Sequence, residues 1–165
     1  SKKLHFGCGK NIFKDFINVD IQKGDGIDFS FNFDKFPYPF DDNSFEYVYS
    51  CQVFEHLEDI PRVLDELYRI CKNDAIIEII VPYYNTYDAF SDVTHKHFFT
   101  DMSFVQLVNC GYSLNKEAKF KIDKLELIPK GIGRIIPFKK FRKYISLFVP
   151  EIIEDVRAKL RVIKN

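Results

Sequence analysis

Leu4–Asp20 reads LHFGCGKNIFKDFINVD, and its order of elements decides the fold. An apolar strand, Lys3–Phe6, ends in Gly7-Cys8-Gly9, and a second strand, Phe16–Ile21 (FINVDI), carries Asp20 near its end. Glycines after a strand let the backbone turn tightly and approach a ligand, and an acid at the end of the next strand can accept both hydroxyls of a ribose. Asn11 stands where a third glycine would complete a fuller motif. Read alone, the same residues describe an ordinary glycine turn beside a strand-end acid. Residues 10–15 are also too few for the crossover helix that usually joins parallel neighbours, so a single turn or an irregular link is expected.

Further along, Ile27–Phe33 (IDFSFNF) alternates and reads as a third strand, Phe45–Cys51 (FEYVYSC) reads as a fourth, and Ala75–Val81 (AIIEIIV) reads as a fifth closed by Pro82. Between the last two the spacing predicts a helix over Ile60–Lys72. Asp59 would cap it, Pro61 suits its first turn, and Ile60, Val63, Leu64, Leu67 and Cys71 fall on one face. A second helix is expected over Asp101–Asn109, with Thr100 as N-cap and Gly111 in the left-handed position after its end. Strands near Phe120–Ile128 and Lys159–Ile163 flank a basic-aromatic stretch, Lys130–Lys143. Strands alternating with helices indicate an α/β architecture in one domain, residues 1–165.

Composition narrows the function classes. Lys+Arg and Asp+Glu both number 24, so no global field draws the chain to nucleic acid or an anionic membrane. Cys8, Cys51, Cys71 and Cys110 are scattered without zinc spacing, which reads as reduced thiols. No signal peptide opens the chain and no apolar run reaches a membrane span, so a cytoplasmic location is expected.

The motifs from Leu4 to Pro82, including FPYPFDDNSFEYVYSCQVFEHLEDIPRVLDELYRICKND, resemble the class I S-adenosylmethionine (SAM)-dependent methyltransferases of the type-11 group. In that group a PF-x-D-x-SFD stretch leads into the fourth strand, and an LEHL-like segment and a helix follow. VPYYNTYDAFSDVTHKHFFT and the closing LRVIKN are similar to a subgroup, which extends the likeness toward the C-terminus. The chain departs from the pattern at His5, where an acid often stands, and at Asn73-Asp74, which replace a Pro-Gly-Gly turn.

The resemblance implies a Rossmann-like fold with a mostly parallel sheet and an antiparallel last strand. It implies SAM as cofactor, with Gly7, Cys8 and Gly9 along its methionine and ribose, Asp20 on the ribose hydroxyls and Ile21 against the adenine. Asn32 and Phe33 would meet the adenine edge and face, and Cys51 and Gln52 would stand beside the sulfonium. Expected activity is methyl transfer to a small-molecule or sugar-like acceptor, with no nucleic-acid partner and no metal. The rival readings are a SAM-binding module without turnover and an NAD-dependent oxidoreductase.

Asp92, His95 and His97 form a third cluster. They read as a general base with its orienting acid, as metal ligands, or as structural groups bonding loop carbonyls; the first makes His95, His97 and Asp92 the catalytic candidates. Glu55-His56, where the chain leaves the fourth strand, reads as loop organisation in preference to a catalytic role. Lys130–Lys143 reads as a substrate lid or solvated connector.

Overall fold

The structure is a computed structural model and describes residues 2–110, 112 and 118–164. One seven-stranded sheet takes its strands from Lys3 to Ile163. They are β1 (Lys3–Phe6), β2 (Ile17–Asp20), β3 (Phe29–Ser30), β4 (Phe45–Cys51), β5 (Cys71–Pro82), β6 (Lys119–Pro129) and β7 (Ile153–Ile163), in the order β3-β2-β1-β4-β5-β7-β6. β1 to β5 pair in parallel, and β7 is antiparallel to both β5 and β6. The mostly parallel sheet with one reversed last strand is therefore present. The order reverses at β1, which has β2 on one side and β4 on the other; such a switch opens a crevice at the carboxyl ends of the strands.

Helix α1 (Ile60–Ile70) joins β4 to β5. Asp59 caps it by accepting the Arg62 N–H at 3.1 Å, and Pro61 lies in the first turn. Ile60, Val63, Leu64, Leu67 and Ile70 are buried and pack with Leu4, Phe6, Val48, Ile77, Ile79 and Leu160 of the sheet. Each such side chain contributes roughly 1.5–3 kcal/mol of hydrophobic stabilisation. The helix stops two residues before the expected Lys72 because Cys71 already pairs with Phe45 in the sheet. Two further short helices form where none is expected, α2 (Tyr87–Ser91), capped by Thr86, and α4 (Lys139–Ser146), in which Phe141, Tyr144 and Ile145 fall at helical spacing. With a 3-10 turn at Gly131–Ile135, α4 makes up the basic-aromatic stretch. α3 (Asp101–Asn109) has its expected bounds, and Ser103 Oγ accepts the Thr100 N–H at 3.0 Å. Gly111, read as the position after its end, lies outside the described residues.

The expected third strand shrinks to Phe29–Ser30, because Asn32 turns the chain by accepting the Asp34 N–H at 2.9 Å. The final strand runs six residues further back than its apolar ending indicates, since both of its edges are paired.

The short link between β1 and β2 forms turns and no helix. Its place against the sheet is taken by aromatic rings: Phe13 stacks on His5 with centroids 4.1 Å apart, and Phe16 meets Tyr47 edge-on. Asn18 on β2 clamps the link, accepting the Phe13 N–H and donating to the carbonyls of Phe13 and Phe16. His5, the departure from the family pattern, therefore has a packing reason. It is a flat, buried ring under a link that has no helix to offer.

Candidate cofactor and acceptor cleft

A cleft of about 870 Å³ opens at the carboxyl ends of β1, β2 and β4, within the usual range for small-ligand sites. Gly7, Cys8, Gly9, Asp20, Ile21, Asn32, Phe33, Cys51 and Gln52, the nine residues expected around a cofactor, all line it. They come from four separate stretches of chain, and the sheet order brings them together.

The two glycines differ in what they do. Both have positive φ, +76° at Gly7 and +53° at Gly9. A Cβ on Gly7 would lie 2.2 Å from Val53 Cγ2, whereas one on Gly9 would meet nothing within 4 Å. Gly7 is thus required by packing against the segment after β4, and Gly9 keeps the cleft itself open. Asp20 is fixed by two backbone donors, with Gly9 N–H on Oδ2 at 2.8 Å and Gln22 N–H on Oδ1 at 3.0 Å. Its remaining lone pairs are free to accept hydroxyls. Ile21 is 58% exposed on the rim, an apolar side chain without cover. Phe33 is buried and stacks on Phe6 at 3.9 Å, so it offers less of its face than the sequence indicates.

These residues fit SAM. The open space at Gly9, the preset Asp20 carboxylate and the bare Ile21 suit an amino-acid tail, a ribose diol and a flat base. The geometry disfavours a dinucleotide. A pyrophosphate is bound by the N-terminus of the helix after the glycines, and turns occupy that position here.

Gln52 follows β4 with φ of +58°, a conformation that costs a non-glycine residue on the order of 1–3 kcal/mol. Its N–H bonds the Ile80 carbonyl and its side-chain amide donates to Asp155 Oδ1 at 2.9 Å. Burial pushes Asp155 up to about 6, with the Gln52 bond working in the other direction.

The far side of the cleft is built by His56, Leu57, Val93, Thr94 and Lys96. A 3-10 turn over Phe54–His56 follows β4, and the loop after α2 is stitched to it. The Glu55 carbonyl accepts N–H groups from Lys96 at 2.7 Å and His97 at 3.2 Å, and Lys96 Nζ bonds Glu58 at 2.5 Å. His97 Nε2 donates to the Leu57 carbonyl at 2.9 Å. The structure thus gives His97 the carbonyl-bonded alternative and a place outside the lining. His95 and Asp92 do not line the cleft either. Asp92 accepts the Thr94 hydroxyl at 2.7 Å and its N–H at 2.8 Å, and these bonds hold its carboxyl below the usual range. Thr94 Oγ1 in turn receives His56 Nδ1 at 2.9 Å.

The imidazole that faces the cleft is therefore His56, oriented through Thr94 by Asp92. Sequence alone favours loop organisation for His56 over a catalytic role, since Thr94 and His56 are brought together only by the fold. Burial, and then the neighbouring His95, lower the His56 pKa. Burial pushes Glu55 up to about 7.

The family model Methyltransf_11, a methyltransferase domain, matches residues 4–79. A search of curated proteins returns no match. Among solved structures, a SAM-dependent methyltransferase from Archaeoglobus fulgidus superposes with a TM-score of 0.67 at 17% identity, covering 96% of this chain and 85% of that one. A SAM-dependent methyltransferase from Mesorhizobium loti gives 0.63 at 13% identity over 97% and 90%. The [4+2]-cyclase SpnF gives 0.64 at 12% identity over 99% and 75%. At these identities the structures show a shared fold, and the cyclase among them carries a different reaction in its name.

Proposed function

We propose that this chain, whose residues 4–79 match a methyltransferase-domain family model, transfers a methyl group from SAM to a small hydroxyl-bearing or sugar-like acceptor bound beside His56. One observation carries the reading: the nine residues expected to hold SAM, drawn from four separate stretches of chain, line a single cleft. The sulfonium supplies an activated methyl and a good leaving group, so the chain's task is chiefly alignment. Asp20 holds the ribose, and the Gly7–Gly9 turn lets the methionine part lie against the backbone. The strained Gln52, tied to β7 through Asp155, fixes the end of β4.

On the acceptor side, the Asp92–Thr94–His56 chain sets the tautomer. The Thr94 hydroxyl gives its hydrogen to Asp92 and so receives His56 Nδ1–H, which leaves His56 Nε2 with a lone pair for an acceptor hydroxyl. Thr94 and Lys96 add polar contacts, and Val93, 95% exposed, is an apolar rim.

Calorimetry with SAM, S-adenosylhomocysteine and NAD tests the cofactor. SAM and S-adenosylhomocysteine should bind and NAD should not. Asp20→Ala should weaken SAM at least about tenfold, since each lost charge-assisted bond is worth about 1.5–3 kcal/mol. Unchanged SAM affinity in Asp20→Ala would remove the assignment. Turnover is tested separately, by following S-adenosylhomocysteine formation from SAM with a panel of glycosides and small alcohols. SAM binding with no product on any acceptor favours the non-catalytic module.

A further inference from the structure

Glu55 is 1% exposed, and neither of its carboxylate oxygens has a hydrogen-bond partner among the described residues. Buried polar groups are normally satisfied, and an unpaired carboxylate is among the costliest exceptions. One donor atom each from Glu55, His56 and His95 lie within 4.8 Å of one another, and the two rings meet edge to face with centroids 4.6 Å apart.

The hydrogen bonds around the rings decide which nitrogens are available. His56 Nδ1 is engaged by Thr94, as above. His95 Nδ1 lies 2.9 Å from the Ala89 carbonyl, which can only accept, so that nitrogen carries the hydrogen. Both Nε2 atoms therefore keep their lone pairs, and neither is spent on Glu55. One ring nitrogen donating outward to a carbonyl or a carboxylate-linked hydroxyl, with the other left bare, is how metal-binding imidazoles are held. The backbone around the trio is also set beforehand. Glu55 and His56 sit on one 3-10 turn, and the Glu55 carbonyl anchors the loop that carries His95.

We propose that Glu55, His56 and His95 bind one divalent transition-metal ion beside the acceptor side of the cleft. Two imidazoles and one carboxylate suit manganese, iron, cobalt or zinc, while magnesium prefers an all-oxygen shell. An ion about 2.1 Å from each donor places the donors about 3.0–3.4 Å apart, so the trio would draw together on binding. Three protein ligands leave coordination positions open. An acceptor hydroxyl, or two adjacent ones, would occupy them, and the ion would orient that oxygen and ease loss of its proton. With the ion bound, its open position takes the acceptor hydroxyl in place of the His56 Nε2 lone pair; only this role rests on the methyl-transfer reading, and the binding of the ion does not.

Cobalt(II) alone is the probe, titrated into the full chain without SAM or acceptor. The background is Cys110→Ser, because Cys110 is an exposed thiol that would compete for the ion. Visible d–d bands should saturate at one ion per chain, and zinc should displace them. Glu55→Gln and His95→Gln should each weaken binding at least about tenfold, and Thr94→Val, which releases His56 from its outer partner, by about 10–100-fold. Circular dichroism melts check that the variants fold; a variant that does not fold is replaced by His56→Gln in the same titration. Absent d–d bands, or a saturating ion whose affinity all these variants leave unchanged, would overturn the site. Because SAM affinity is read without metal, failure of the ion site and failure of the methyltransferase reading are separate results.

Discussion

Gly7 and Gly9 stand two residues apart in one turn, and alanine at each should fail in a different way. At Gly7 the new methyl would lie 2.2 Å from Val53 Cγ2 at a φ of +76°. Left-handed backbone costs a non-glycine residue roughly 1–2 kcal/mol, and forcing a methyl into packed surroundings costs about 1–3 kcal/mol more. Gly7→Ala should therefore lose about 2–5 kcal/mol. At about 2–4 °C per kcal/mol for a chain of this size, the melting temperature should fall by roughly 5–20 °C. At Gly9 the backbone term alone applies, because nothing lies within 4 Å of the added carbon. Gly9→Ala should lose roughly 2–8 °C, yet its methyl stands in the space assigned to the cofactor and should weaken S-adenosylhomocysteine. Thermal melts paired with calorimetry separate the two effects. Val53→Ala should restore part of the stability of Gly7→Ala and do nothing for Gly9→Ala. Equal melting losses at the two positions, or full S-adenosylhomocysteine affinity in Gly9→Ala, would refute this division of roles.

His5 is buried, and burial lowers its pKa from 6.5. Below pH 6.5 the unfolded chain takes up a proton that the folded chain resists, so stability should fall as pH drops from there toward the folded pKa. Denaturant titrations of His5→Gln should show a flatter acid limb, and an unchanged slope would assign it to another group. The thiols should also separate by reactivity. Cys110 is exposed, while burial pushes Cys71 up to about 12, so a disulfide reagent at neutral pH should modify Cys110 first and reach Cys71 only with unfolding. Labelling of Cys71 at the rate of Cys110 in native protein would contradict its burial.

Much of the fold was legible in local pattern. β1, β4 and α3 have the bounds their sequence indicates, and α1 begins where Asp59 and Pro61 place its start, since a cap such as Asp59 or Thr100 marks where helical hydrogen bonding begins. That nine residues from separate stretches would gather at one cleft was legible as well. Its residues follow directly from strand ends, and strand ends are where a parallel sheet opens its crevice. The missing crossover helix could be counted from residues 10–15, although what replaces it could not.

Tertiary structure decided the rest. Alternation from Val156 to Val162 extends well beyond the apolar ending read as the strand, and pairing with two antiparallel neighbours carries β7 to eleven residues. The acceptor side depends on contacts between residues about forty apart in sequence, such as Thr94 with His56 and His97 with Leu57. The sequence drew attention to the dense cluster of Asp92, His95 and His97, because spacing is all that it displays. The fold turns His97 to a carbonyl, places Asp92 behind Thr94, and sets His95 against His56 and Glu55. Which nitrogen of an imidazole keeps its lone pair is fixed by the partner of the other nitrogen, and those partners meet only when the chain is folded.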